Sequence, residues 1–319
     1  DYIVSCVEAI YKETAIRIVH VNAPPMDVED LRRLKAAGIG VYQVFQETYK
    51  RERYKTVHPS GKKRDYDYRL SVMDRAMEAG IEDVGIGTLL GLYDWRFDVL
   101  STICHSQYLK ETYGTHAHTI SIPRLRPTVN SALDKETTRR YSVSDSELKQ
   151  ITAIYRLVIP TAGIVATTRE PVEMRSALLK VGASQLSAAS STEPGGYTGK
   201  ESKTLAQFET TASQTLDEVI AQVINDKEMP SLCTTCYRTG RVGRDFGDTT
   251  SSGDMEKFCK ANAILTLKEY TLDRELNGTA ELYDRTIAKA LKDIEDENLK
   301  AAIEEKLKKL EAGERDLYL

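Results

Sequence analysis

No apolar run in this 319-residue chain approaches the ~18 residues that a membrane-crossing helix needs, so no segment reads as a transmembrane span. Positive charge is not in surplus either. The 44 Lys and Arg stand against 48 Asp and Glu, a formal net charge of −4, and nothing points to nucleic acid as a partner. The short basic clusters Lys50-Arg51 and Lys62-Lys63-Arg64 are balanced by acids and read as solvated loop faces. There are five cysteines, an odd count with three in one stretch, which argues against a disulfide framework and for a reducing cytoplasmic setting. An initiating Met is missing as well. The chain opens on Asp1-Tyr2-Ile3 and runs straight into helix-like periodicity at Ile3, Val7 and Ile10, so further sequence is expected upstream. What is present, 41% hydrophobic and 29% charged residues, is the composition of a soluble globular protein.

The cysteine stretch carries the sharpest chemical signal. Cys233-Thr-Thr-Cys236 is a CxxC pair, with Cys259 downstream. Thiolates are soft ligands, and CxxC spacing brings two sulfurs within reach of one metal centre. Three protein ligands without an obvious fourth suit an iron–sulfur cluster that keeps one iron exchangeable. A zinc knuckle closed by a distant His is the alternative.

Along the chain, short β-branched runs alternate with amphipathic helices. Strands are predicted at Arg17–Asn22, Gly40–Glu47, Val84–Leu90, His118–Arg124, Gly163–Thr168 and Ser184–Ala188. Helices are predicted at Val28–Ala37, Asp67–Ala79, Phe97–Tyr113, from the capping box Ser144-Asp-Ser-Glu147 to Val158, and at Val172–Leu179. Regular βα alternation implies a parallel sheet, doubly wound or a barrel. Polar groups at strand ends (Glu47, Arg124, Thr168-Arg169, Ser190-Ser191-Thr192) favour an α/β fold of the (β/α)8 TIM type, with about six of eight βα units present. Beyond residue 190 the pattern becomes helical, with helices expected at Ser213–Asp226, Glu256–Thr271, Ala280–Ile294 and Asn298–Leu310.

The motifs Phe45-Gln-Glu-Thr-Tyr49, His58-Pro-Ser-Gly61, Asp74-Arg-Ala-Met77, Gly85-Ile-Gly87 and Ser121-Ile-Pro-Arg-Leu-Arg-Pro127 resemble those of the radical S-adenosylmethionine tyrosine lyases. So do Thr167-Thr-Arg-Glu-Pro171 and the Ser190–Tyr197 loop. The Cys233/Cys236/Cys259 segment resembles the branch that matures [FeFe]-hydrogenase, not the thiamine-pathway branch, which makes 2-iminoacetate. The resemblance implies a barrel of strands three to eight over residues 1–190 and a mostly helical, cluster-binding domain over 191–319. It further implies cleavage of L-tyrosine to p-cresol and dehydroglycine, and conversion of the latter to CO and cyanide for H-cluster assembly. Implied cofactors are S-adenosyl-L-methionine, a radical-generating [4Fe-4S] cluster and an auxiliary [4Fe-4S]/[5Fe-5S] cluster. Implied partners are cysteine, an electron donor of the ferredoxin or flavodoxin type, and other hydrogenase maturation proteins. The family's CxxxCxxC is absent, and the ligands of the first cluster are expected outside this sequence. A chain that truly lacked them would be left as an iron–sulfur carrier or scaffold.

By the same resemblance, Glu47, Arg69, Gly85, Gly87 and Ile122 are candidates for S-adenosylmethionine binding. Arg69 would meet the carboxylate, Glu47 the polar head, the two glycines the nucleoside and Ile122 the adenine. Packing alone also explains the glycines. Arg124, Arg126, Arg169, Ser190 and Thr192 are candidates for tyrosine binding, with a structural ion pair to Glu170 or Glu193 as the alternative for the arginines. Cys233, Cys236 and Cys259 are the auxiliary-cluster ligands, and His105 the ligand of its labile iron, with His116 and His118 in reserve. Cys6 and Cys104 read as buried small hydrophobes.

Overall fold

The computed structural model describes residues 1–125, 139–191, 214–274 and 280–319. They form two compact units. The first comprises residues 1–213 with 242–247, and the second residues 214–241 with 248–319.

In the first unit, six strands pair in parallel in the order in which they occur: β1 (Val21–Asn22), β2 (Tyr42–Gln43), β3 (Val84–Gly87), β4 (Thr119–Ser121), β5 (Gly163–Ala166) and β6 (Gln185–Leu186). Helices intervene at α1 (Tyr2–Glu13), which precedes β1, then α2 (Val28–Ala36), α3 (Arg51–Val57), α4 (Tyr66–Leu70), α5 (Val72–Glu78), α6 (Trp95–Tyr113), α7 (Asp145–Val158) and α8 (Val172–Lys180). Sequential parallel neighbours joined through helices make this a partial (β/α)8 barrel, as the alternation predicted.

The local signals explain most boundaries. Ser144 and Glu147 form the reciprocal capping box that opens α7. Helix α6 opens on Asp94, which accepts the Arg96 amide, and closes on Gly114 at φ 82°. The paired strands are shorter than their β-branched runs. Beyond β2 and β3 the ladder continues, among the described residues, as the single bridges Glu47 to Thr88 and Leu90 to Arg124. The helix predicted at Asp67–Ala79 is two helices broken at Ser71, and α3 occupies a stretch read as charged loop. Cys104 is exposed and Cys6 half-buried, so neither is the buried hydrophobe expected.

The sheet has two unlike faces. Tyr42, Val44, Val84, Ile86, Ile120, Ile164 and Ala166 are buried in one core with helix residues such as Leu31, Met73, Val99, Leu148 and Leu178. The alternate residues face the concave side. A Cβ on Gly85 would meet Gln43 Cγ at 2.5 Å and Thr119 Oγ1 at 2.6 Å, and one on Gly163 would meet Gln185 Nε2 at 2.6 Å. This two-residue period assigns each strand-end side chain to one face.

The second unit is helical: α9 (Leu216–Asn225), α10 (Thr235–Arg238), the later part of α11 (Gly243–Ser251), α12 (Asp254–Leu272), α13 (Ala280–Lys292) and α14 (Glu297–Glu311). A Thr215–Glu218 capping box opens α9. Its core joins Ile220, Leu265, Tyr283, Ile287, Ile303 and Leu310.

Candidate active site at the strand ends

Glu47 follows β2 with the parity of the concave face. Its backbone is left-handed at φ 70°, which for a residue with a Cβ costs about 1–3 kcal/mol and persists only where surroundings hold it. Its Oε1 accepts from Lys63 Nζ at 2.6 Å and from Arg69 Nη2 at 3.2 Å. Arg69 reaches it from α4, and its Nε donates to the Phe45 carbonyl at 2.7 Å. Among the described residues the Arg69 Nη1 amino group donates to nothing, so the guanidinium keeps donors for an incoming anion. Arg69 and Lys63 line a cleft of about 1370 Å³ that runs past Asn22, Met26, Asp65 and Tyr68. A half-buried carboxylate bracketed by two cations offers both signs of charge at one place, the complement of a zwitterion.

Helix α6 supports this corner from behind. Its Asp98, fully buried, accepts from Thr48 Oγ1 at 3.0 Å and from the Tyr49 amide at 2.8 Å. Burial pushes the Asp98 carboxyl up to about 6. The Tyr49 hydroxyl meets His105 Nδ1 at 2.8 Å, and burial brings the His105 pKa down to about 4. The imidazole is therefore neutral at pH 7. Sequence reasoning overlooked Asp98 and Lys63. A signal for Asp98 existed, since it falls on the buried stripe of α6 with Trp95, Val99, Thr102, Ser106 and Leu109.

Two expected ligand contacts take a different place. Ile122 has the parity of Ile120 and belongs to the helix-covered core, so its side chain does not face the concave side where adenine was expected. Arg124 shares that parity and is buried. Its Nε and Nη2 grip Glu170 in a fork, while Nη1 donates to the Val143 carbonyl at 3.0 Å and to Asp145 Oδ1 at 2.7 Å. Four of its five N–H donors are thus engaged within the protein, and Arg124 takes the ion-pair alternative. The substituent-free faces of Gly85 and Gly87 are also occupied: a Cβ at Gly87 would meet the Ser121 carbonyl oxygen at 2.6 Å. Packing is a sufficient reason for both glycines.

Arg169, at the end of β5, is half-buried. Ser190 follows Ala189, which is left-handed at φ 49°. Arg126 and Thr192 lie outside the described residues. His118 and His116 are elsewhere in the unit: His118 Nδ1 pairs with Asp83 Oδ1 at 3.3 Å at the strand starts, and His116 lies beside Ser106.

In the second unit, Cys236 lies on α10 and Cys259 on α12. The Cys233 sulfur accepts the Thr235 amide at 3.4 Å. Cys259 is exposed as a residue, yet partial desolvation of its thiol raises the pKa first, the charge of Cys233 raises it further, and Arg241 opposes both. Arg238 also senses Cys233. Among the described residues no three Cys, His, Asp or Glu side chains are drawn together closely enough to hold a metal ion. The donor set, three soft thiols with two guanidiniums nearby, nevertheless fits an anionic thiolate-bound cluster.

Residues 121–229 match the Biotin and Thiamin Synthesis associated domain. The 2-iminoacetate synthase of Salmonella typhimurium is 32% identical over 180 residues, 56% of this chain and 46% of that enzyme, so the chain spans about half the length of this relative. The crystal structure of HydG, a maturase of the [FeFe]-hydrogenase, superposes with a TM-score of 0.94 at 40% identity, covering 100% of this chain and 70% of that one. The chain belongs to the HydG family. HydG from Carboxydothermus hydrogenoformans, also an FeFe-hydrogenase maturase, superposes with a TM-score of 0.80 at 36% identity over 96% of this chain and 66% of that one. The HydG likeness thus extends over the helical unit, whereas the 2-iminoacetate synthase match covers little more than half the chain.

Proposed function

We propose that this chain is the larger part of a radical S-adenosylmethionine tyrosine lyase that cleaves L-tyrosine to p-cresol and dehydroglycine. Dehydroglycine is then converted to CO and cyanide for the [FeFe]-hydrogenase H-cluster. The observation that supports this most is the Glu47–Arg69–Lys63 constellation on the concave face at the strand ends, in a chain matched along its whole length by HydG. Arg69 and Glu47 bind the amino-acid head of S-adenosylmethionine. Arg169 and Ser190 serve tyrosine, while Arg124 holds the wall through Glu170. Cys233, Cys236 and Cys259 would hold the auxiliary cluster. When bound, the iron–sulfur groups supply the electron that opens the sulfonium and the iron that captures the diatomic products.

The 32% identity to a 2-iminoacetate synthase favours a second reading, a lyase that stops at dehydroglycine. Product analysis of the full-length, reconstituted protein separates the two. The first reading expects p-cresol with CO and cyanide, and loss of the diatomics alone in a Cys233→Ala/Cys236→Ala/Cys259→Ala variant. Release of CO by that variant at the parental rate would overturn the role given to the cysteines, and p-cresol without diatomics from the parental protein would favour the second reading.

A further inference from the structure

Asp98 has no binding role above, yet it holds the turn that carries Glu47. From α6 its Oδ1 accepts from both residues that follow Glu47, at 3.0 Å from Thr48 Oγ1 and 2.8 Å from the Tyr49 amide. The same turn is gripped on its far side by the Tyr66 hydroxyl, which donates to the Tyr49 carbonyl at 2.9 Å, and by the Tyr49–His105 contact. Between these restraints Glu47 adopts its left-handed backbone, which few residues with a Cβ take up unaided. Among the described residues the other Asp98 oxygen is buried without a hydrogen-bond partner. A carboxylate in such a place is costly, and its two bonds to the turn are what it provides in return.

We propose that Asp98 is a positioning residue. It fixes the left-handed backbone of Glu47, and thereby the Glu47–Arg69–Lys63 arrangement that receives the zwitterionic head of a sulfonium amino acid. The proposal rests on reading that arrangement as the S-adenosylmethionine site. Asp98→Asn keeps an acceptor for Thr48 and Tyr49, and Asp98→Ala removes it. Thr48→Val removes one donor to the acid together with the acceptor of the Lys50 amide, so for that variant the exchange of Tyr49 is the one read. Val99→Ala, one position along the same helix in the core, is a control for general loosening.

The experiment measures S-adenosylmethionine affinity by titration and hydrogen exchange of the peptide over residues 47–50, both in the full-length protein. Asp98→Ala is expected to weaken binding by about tenfold or more and to speed exchange of that peptide. Thr48→Val gives a smaller change of the same sign and decides the matter should Asp98→Ala fail to fold. Asp98→Asn restores both readouts to near-parental values. Val99→Ala lowers the melting temperature with both readouts unchanged. Unchanged exchange over 47–50 in Asp98→Ala and at Tyr49 in Thr48→Val, or an equal loss of affinity in Val99→Ala, would overturn the proposal. Absence of binding by the parental protein would instead count against the functional reading, and the exchange data would then decide whether Asp98 holds the turn.

Discussion

Two Glu–Arg pairs lie at strand ends of the same sheet, and their chemistry matches while their surroundings do not. Arg124 and Glu170 are both buried, and the guanidinium is closed off by Glu170, Asp145 and the Val143 carbonyl. Glu47 and Arg69 are only partly buried, Arg69 lines a cleft, and among the described residues the guanidinium keeps an edge that donates to nothing. The difference follows from strand parity. Arg124 has the parity of Ile120 and Ile122, which turns it to the helix layer, whereas Glu47 has the parity of Gln43 and Phe45. A charged strand-end residue is therefore a ligand candidate only when it lies on the concave face and is not already saturated.

The largest test of this contrast is Glu170→Ala. It leaves Arg124 buried with the exposed Asp145 and the Val143 carbonyl as its partners among the described residues, and should cost about 3–5 kcal/mol of stability in urea unfolding, with S-adenosylmethionine affinity retained by the folded fraction. Next is Gly87→Ala. Its new Cβ would press on the Ser121 carbonyl oxygen, fixed backbone that cannot swing away, at an expected cost of about 1–3 kcal/mol by thermal melting. Glu47→Gln should change stability by only about 1 kcal/mol, yet weaken the ligand by about tenfold because the ammonium loses its counter-charge.

The smallest effect expected is in pH dependence. The Asp98 pKa is raised to about 6 in the fold, so its contribution is fully present below its ordinary range and is lost as pH climbs through 6. His20 and His105, both held down to about 4 by burial, act oppositely: they cost stability as pH falls from about 6.5 towards 4. Stability curves from pH 4 to 7 should therefore show Asp98→Asn gaining on the parental protein as pH rises. A gap that stays constant across this range would contradict the shifted carboxyl.

Much of the fold was legible because the alternation of β-branched runs and capped helices is local. The Ser144-Asp-Ser-Glu147 box marks the start of α7 within a residue. The break at Ser71 and the short α3 were not legible, since the sequence there keeps helical periodicity through one and hides the other in charge. At the site, Glu47 and Arg69 were legible as separate candidates, whereas their contact with each other was not. The fate of Arg124 was undecided from sequence, because alternation puts Arg124 and Arg126 on one face without saying which. That choice is settled by the parity of Arg124 with the buried Ile120 and Ile122 and by its pairing with Glu170 and Asp145. Asp98 escaped notice because its partners, the Thr48 hydroxyl and the Tyr49 amide, lie about fifty residues away in sequence, beyond the reach of any local motif.

The most direct test of the contrast between the two pairs is a titration of S-adenosylmethionine against the parental protein, Arg69→Ala and Glu170→Ala, each corrected for its folded fraction. The expected result is a loss of about tenfold or more in Arg69→Ala and parental affinity in Glu170→Ala. Parental affinity in Arg69→Ala together with a loss in Glu170→Ala would contradict it and move the ligand to the other pair.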